Sequence, residues 1–123
     1  MKRKWKEELN LLLRIMSTHA VMRSQIIAEK LGINPTDLES IEVLLREGKI
    51  TAGRLAQETG LTTGAITGVI DRLVRAGYAA REEDPGDRRK VLVALNVKRV
   101  EEDVVPLYES ISRSTEKILR NYS

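Results

Sequence analysis

The chain has no cysteine and a single histidine among its 123 residues. The first absence excludes disulfide staples, thiolate metal sites and cysteine-based redox sensing. The second leaves His19 without a cluster of other ligands, so no metal centre is in view, and a polar role at an interface suits it better. Its titration near neutral pH could tune such an interface. Also missing are an apolar run approaching the roughly 18 residues of a membrane span and a signal-peptide core behind the polar start Met1–Lys6. No phosphate-binding glycine loop, repeat, low-complexity segment or linker is present either. An enzyme therefore finds little support, no cofactor and no membrane partner are expected, and the expected location is the cytoplasm. Asp84 and Asp87 could be imagined as paired acids, but on a turn they read better as acceptors for backbone donors.

What is present fits one ordinary domain, with 41% hydrophobic residues and a net charge of +3. The charge is unevenly spread. Residues 62–99 carry eight Lys/Arg against five Asp/Glu, and residues 1–30 carry seven against three. The stretches 31–61 and 100–123 each carry three against five. A phosphate-facing surface concentrates positive charge in this way.

The organising stretch is Thr62–Gly77. Thr62 can cap a helix and Gly77 can close one, and between them Ile66, Val69, Ile70 and Leu73 fall at i, i+3, i+4 and i+7, the spacing of a buried stripe. The opposite face shows Gly64, Gly68, Asp71, Arg72 and Arg75, flanked by Thr63 and Thr67. Interior helical glycines cost about 1 kcal/mol each relative to alanine. Close packing against another element would explain them, and so would close approach of bare backbone to a DNA groove. Upstream, Thr51 can cap a short helix over 52–58, with Leu55 and Ala56 facing inward and a turn at Thr59–Leu61. Small Ala56, turn Gly60 and buried Ile66 and Val69 are the positions a helix-turn-helix needs. Downstream, residues 78–83 and 90–95 read as strands joined by the charged loop 84–89, whose Pro-Gly is a turn signal. A helix-turn-helix followed by such a hairpin is a winged helix, with Arg88, Arg89 and Lys90 where a wing would meet phosphate.

These segments, Thr62-Thr-Gly-Ala-Ile-Thr-Gly-Val-Ile-Asp-Arg-Leu73, Ala76-Gly-Tyr78, Asp84-Pro-Gly-Asp-Arg-Arg89 and Val91-Leu-Val-Ala-Leu95, resemble the multiple antibiotic resistance regulator (MarR) family of transcription factors. The resemblance extends upstream through Met22–Leu45. It implies a mainly α fold with a small β-hairpin wing, in which dimerisation helices at 1–33 and 97–123 flank a DNA-binding lobe at 34–96. It implies further that Asp87 braces the wing, that Arg89 enters a minor groove, and that Thr62, Thr63, Thr67 and Arg72 contact DNA from the recognition helix. The DNA-facing candidates are thus Thr62, Thr63, Gly64, Thr67, Gly68, Arg72 and Arg75 on the helix and Asp87, Arg88, Arg89 and Lys90 on the wing. Arg72, next to Asp71, is equally readable as one half of an internal ion pair. Two departures stand out: Asn96 replaces the usual threonine after the last wing strand, and the terminal helices are shorter than is common in the family.

Those terminal segments read as helices. Trp5, Leu9, Leu12, Leu13, Met16, Ala20, Ile26, Ile27 and Leu31 suit a long helix over 4–31, forming either the monomer core or a dimer seam, and the family dimerises there. Asn34 and Pro35 start a second helix, with Leu38, Ile41, Leu44 and Leu45 expected inward; Gly48 ends it before a short strand at Lys49–Ile50. After Asn96, the positions Val97, Val100, Val104, Leu107, Tyr108, Ile111, Ile118 and Leu119 follow helical spacing, interrupted by Pro106, which produces either a kink or two shorter helices.

The expected function is that of a sequence-specific, homodimeric transcriptional regulator, a repressor on a pseudo-palindromic double-stranded operator. The family's members often hold a small aromatic or phenolic effector between the dimer helices and the DNA-binding lobe. Its lining here would be sought among Met16, His19, Ala20, Met22, Arg23, Leu38 and Ile41. The alternative is a winged helix serving as a protein-interaction module, which salt dependence separates from a phosphate-contacting DNA binder.

Overall fold

The computed structural model describes residues 2–121. Helix α1 (Lys2–Leu31) is a 30-residue rod whose two halves have different surroundings. In its C-terminal half Ile27 and Ala28 are buried, whereas the apolar residues Trp5, Leu9, Leu12, Leu13 and Met16 are 40–54% exposed. Part of the expected stripe thus belongs to the core, and the rest protrudes.

Helix α2 (Pro35–Glu47) starts after the Gly32–Asn34 turn, with proline in its first turn, where a missing N–H costs nothing. Leu38, Ile41 and Leu44 turn inward as expected. Leu45 does not: it is 49% exposed, because in the last turn it lines an open groove with Ala94, Leu95 and Val97. Val43 is buried in addition to that stripe, together with two polar residues, Asp37 and Ser40. Ser40 is satisfied within the helix, its hydroxyl donating to the Thr36 carbonyl at 2.9 Å.

Strand β1 (Ile50–Thr51) leads into helix α3 (Ala52–Thr59), capped by Thr51 Oγ1, which accepts from Arg54 N–H. Gly60 follows at φ +72, a conformation that makes the tight turn cheap only for glycine. Helix α4 (Thr63–Ala76) buries Ile66, Val69, Ile70 and Leu73, the stripe read from the sequence. Strands β2 (Ala79–Asp84) and β3 (Asp87–Leu95) form the hairpin, and the antiparallel sheet runs in the order β1-β3-β2 with Ile50 opposite Val93. The core joins α1, α2, α3, α4 and the sheet through Ile27, Leu38, Ile41, Leu55, Ile66, Leu73 and Val93.

The C-terminal segment is two helices, α5 (Val97–Asp103) and α6 (Val105–Arg120). The break falls at Val104, just ahead of Pro106, so the proline occupies the first turn of α6 rather than the interior of one long helix. Val100 and Val104 reach the core, and Leu107, Tyr108 and Ile111 pack against it. The side chains of Ile118 and Leu119 lie outside the described residues. Where α6 meets α1 and α2, the Tyr108 hydroxyl donates to Glu42, and the Arg23 guanidinium lies 5.7 Å from the centre of the Tyr108 ring.

A polar clamp joins the end of α4 to α5. Tyr78, buried just past Gly77, donates its hydroxyl to Asp103 Oδ2 at 3.1 Å, and the same oxygen accepts from Arg99 Nε at 3.0 Å. Arg99 also covers the Tyr78 ring at 5.2 Å. Asn96 caps α5 and donates to the Gly77 carbonyl at 3.2 Å. The Arg99 and Tyr78 hydrogen bonds hold the Asp103 carboxyl below its ordinary value of 3.8. A carboxyl lowered on folding adds stability above its unfolded pKa and loses it as pH falls through the folded one. Asp103→Asn is therefore expected to be less stable than the parent near neutrality, with the gap closing as pH falls below the ordinary carboxylate value of 3.8, as urea melts at several pH values would show.

Candidate nucleic-acid interface

The outward face of α4 is nearly bare. Thr62, Thr63, Gly64, Ala65 and Thr67 are exposed, and Gly68 is partly so. A Cβ built on Gly64 would meet nothing within 4 Å, and one on Gly68 only Arg72 Nη1 at 3.4 Å, an ordinary contact. Packing inside the chain therefore does not require either glycine, which removes the first of the two explanations offered by the sequence. The threonines are partly committed. Thr62 Oγ1 accepts from Ala65 N–H at 3.1 Å, and the Thr67 hydroxyl donates to the Thr63 carbonyl at 2.9 Å. What Thr67 still offers outward is its methyl group and an oxygen acceptor.

Arg72 is anchored, and its partner is Asp37, thirty-five residues away, rather than neighbouring Asp71. Nε and Nη2 donate to the two carboxylate oxygens at 3.0 and 2.9 Å, a forked pair, while Asp37 Oδ2 also accepts from Asn34 N–H at 3.1 Å. Asp37 is 0% exposed, whereas the Arg72 side chain is 40% exposed. The hydrogen bond to Asp37 raises the Arg72 pKa against the opposing effect of burial, so the cation is permanent. Asp71 instead pairs with Arg81 of β2, tying α4 to the wing, and Lys49 reaches Glu82 on the same strand at 2.7 Å. Arg75 is exposed in the last turn of α4.

The wing differs from the sequence expectation in one respect. The strands run through the supposed loop, leaving only Pro85 and Gly86 as the turn. The pairing is not continuous: Glu83 lies opposite Val91 but Asp84 opposite Asp87, so Arg88, Arg89 and Lys90 stand outside the ladder without cross-strand partners. A β-bulge of this kind re-aims side chains, and here it projects three consecutive cations, all exposed. Asp84 accepts from Gly86 N–H at 2.8 Å and Asp87 from Arg89 N–H at 3.0 Å. The two acids thus brace the backbone, and the Arg89 side chain stays 93% exposed despite a 3.4 Å contact with Asp87.

Sequence reading gave Asp37 no role at the site, and it did not single out Arg81 or Asp103. Among the sought effector-lining residues, Leu38 and Ile41 are buried in the core while Met16 and Met22 are exposed, so that set does not converge. A cavity of about 370 Å³ between α1 and α2 shares only Ala20 with it.

Residues 31–90 match the model of the MarR family, the stretch that holds α2, the helix-turn-helix and most of the wing. Over 112 residues, covering 91% of this chain and 72% of the relative, the sequence is 41% identical to YcgE of Bacillus subtilis, an uncharacterized HTH-type transcriptional regulator. It belongs to the MarR family. A MarR family protein of Bacillus stearothermophilus superposes over 100% of this chain and 85% of its own, with a TM-score of 0.77 at 27% identity. The transcriptional regulator Tm0710 of Thermotoga maritima, at 24% identity, shares the fold with a TM-score of 0.80 over 95% of this chain and 82% of its own. In the MarR winged helix, α4 is the second helix of the helix-turn-helix and β2–β3 is the wing.

Two stability predictions follow from the geometry. Gly68→Ala, which meets no obstacle, is expected to stabilise the protein by about 0.5–1 kcal/mol through helix propensity, measurable in thermal melts. Arg72→Ala strands a buried carboxylate and is expected to cost about 3 kcal/mol, whereas Asp37→Ala frees a guanidinium that can reach water and should cost roughly half as much. Equal costs in urea titrations would contradict the asymmetry.

Proposed function

We propose that the chain is a homodimeric, sequence-specific DNA-binding transcriptional regulator of the repressor type, acting on a pseudo-palindromic operator. The observation that carries this reading is the pairing of a recognition-helix face with no internal use for its glycines and a wing that pushes Arg88, Arg89 and Lys90 out of its own ladder. Bare backbone admits close approach to a groove, and a cationic bulge supplies phosphate or minor-groove contacts. Thr63 and Thr67, in the first turns of α4, are the residues best placed to meet base edges, since recognition helices read with their N-terminal portion. Asp87 holds the backbone from which Arg89 extends.

Dimerisation is supported by the exposed apolar length of α1. Trp5, Leu9, Leu12, Leu13 and Met16 recur at helical spacing and are 40–54% exposed, a stripe that a second copy would cover. A twofold dimer would present two recognition helices about one DNA turn, roughly 34 Å, apart. Effector control belongs to the same proposal: a ligand wedged between the dimer helices and the lobe would change that separation.

Selection of bound sequences from random DNA is the decisive test, and it should return a twofold-symmetric motif. On that motif Arg89→Ala is expected to lose at least tenfold in affinity by fluorescence anisotropy while melting like the parent. Gly68→Ala should be more stable yet bind more weakly. A Leu13→Glu variant should shift the mass measured by light scattering toward the monomer. Failure of the parent protein to enrich any DNA sequence would overturn the function.

A further inference from the structure

The forked pair leaves one edge of Arg72 unspent, and the Arg72 side chain also borders a concavity beside the threonine-lined reading face. This depression, about 250 Å³, is lined by Gly32, Ile33, Asn34, Asp37, Arg72 and Arg75, together with Ala76. We propose that it is a seat for one backbone phosphate of the operator, held by Arg72 and Arg75, with Asp37 acting as the positioning residue. The inference rests on the DNA-binding reading and assigns a distinct role to this part of it.

The donor accounting supports an anion held by guanidinium groups rather than by backbone. In the turn that forms the rim, Gly32 N–H donates to the Glu29 carbonyl, Ile33 N–H to Ala28 and Asn34 N–H to Asp37. Pro35 has no N–H to offer. Nε of Arg72 and one hydrogen of Nη2 are taken by Asp37, but Nη1 makes no hydrogen bond among the described residues and lies beside Gly68 on the exposed side of α4. Arg75, one turn further along the helix, has no ion pair among the described residues. Two permanent cations thus border one depression, and the only carboxylate lining it is already engaged by Arg72 and Asn34 N–H.

The same geometry argues against base reading by Arg72. Bidentate recognition of guanine needs two parallel N–H groups aimed at one base edge, and with Nε and Nη2 fixed on Asp37 the guanidinium is not free to swing its remaining donors onto a base. Arg72 also lies in the C-terminal half of α4, away from the end that reads bases. A point contact to phosphate, carrying no sequence information, is what remains. An oriented guanidinium suits such a contact because little side-chain freedom is left to lose on binding.

The test uses the selected operator and three proteins: the parent, Arg75→Ala, and the double variant Asp37→Leu/Arg72→Met. The double variant removes both charges together and so leaves no stranded carboxylate; circular dichroism and melting check that it folds. Each variant is expected to lose three- to thirtyfold in affinity for operator and unrelated DNA alike, and the slope of log affinity against log salt should shrink by about 1.8, for one lost phosphate contact in each half-site of the dimer complex. Single methylphosphonate replacements along the operator should reveal one position per half-site that weakens the parent but costs Arg75→Ala nothing further.

Parent-like slopes in folded variants would overturn the seat while leaving the DNA-binding reading intact. A loss confined to one base pair would overturn it in favour of base readout. Calorimetric binding of inorganic phosphate to the free protein, abolished in Arg75→Ala whose salt slope on DNA is unchanged, would reassign the depression to a free anion. A parent protein that binds no DNA at all would remove the function itself.

Discussion

The orientation of the recognition helix depends on one buried carboxylate. Asp37 has no exposed surface and would be several kcal/mol unfavourable as a lone ion. It is tolerated because Arg72 offers a forked pair of donors and Asn34 a third. The net gain in stability from such a pair is small, since desolvation offsets the attraction. What it does supply is direction. The apolar stripe of Ile66, Val69, Ile70 and Leu73 holds α4 against the core, but an apolar contact alone tolerates rolling and sliding, whereas a two-point hydrogen bond does not. Fixing Arg72 on Asp37 sets the roll of the helix, and the roll determines that Thr63, Gly64, Thr67 and Gly68 look outward.

Other polar contacts hold that helix at its remaining margins. Tyr78, Arg99 and Asp103 fasten its C-terminal end to α5, and Asp71 fastens its exposed side to Arg81 of the wing. The last of these is an exposed ion pair, worth a few tenths of a kcal/mol at most in isolation, so it biases the angle of the wing without locking it. The clamp at Tyr78 is firmer, because the phenol is buried and its hydroxyl needs a partner. α4 is therefore held rigidly along its inward and C-terminal sides and only loosely where the wing leaves it. In the proposed complex, a wing with that freedom would follow the local width of a groove while the helix keeps its register.

Most of this was legible in the sequence where the signal is local. Helical spacing gave the inward residues of α4, a capping threonine and closing glycine gave its ends, and Pro-Gly gave the turn of the wing. Leu45 defied its periodicity because the stripe says which face a residue occupies but not whether anything stands opposite the last turn. Arg88 and Arg89 were read as loop and Lys90 as the first residue of a regular strand, since a local pattern cannot distinguish a charged loop from strand residues thrown out of register by a three-residue bulge. The hardest feature was the partner of Arg72. Asp71 is adjacent in sequence, but adjacent helical residues point about 100° apart, and the partner lies thirty-five residues upstream on another helix. Pairing at that distance leaves no trace in one sequence.

The bare face of α4 can now be weighed against its cost. Gly68 lies in the helix interior and forgoes about 1 kcal/mol relative to alanine, an appreciable share of the 5–15 kcal/mol, roughly, that holds a domain of ordinary stability. Nothing among the described residues recovers that loss, for a methyl group there would touch only the end of Arg72. The ladder hydrogen bonds forgone by the bulge at Arg88–Lys90 fall in the same category, as do the exposed apolar residues of α1. Each is a local defect of the isolated monomer, and each has the chemistry of a different missing surface: backbone close enough for a groove, cations for phosphate, and an apolar stripe for a second helix. The proposed arrangement would supply all three surfaces at once: a second copy of the chain on α1 and a DNA duplex across the two α4 helices.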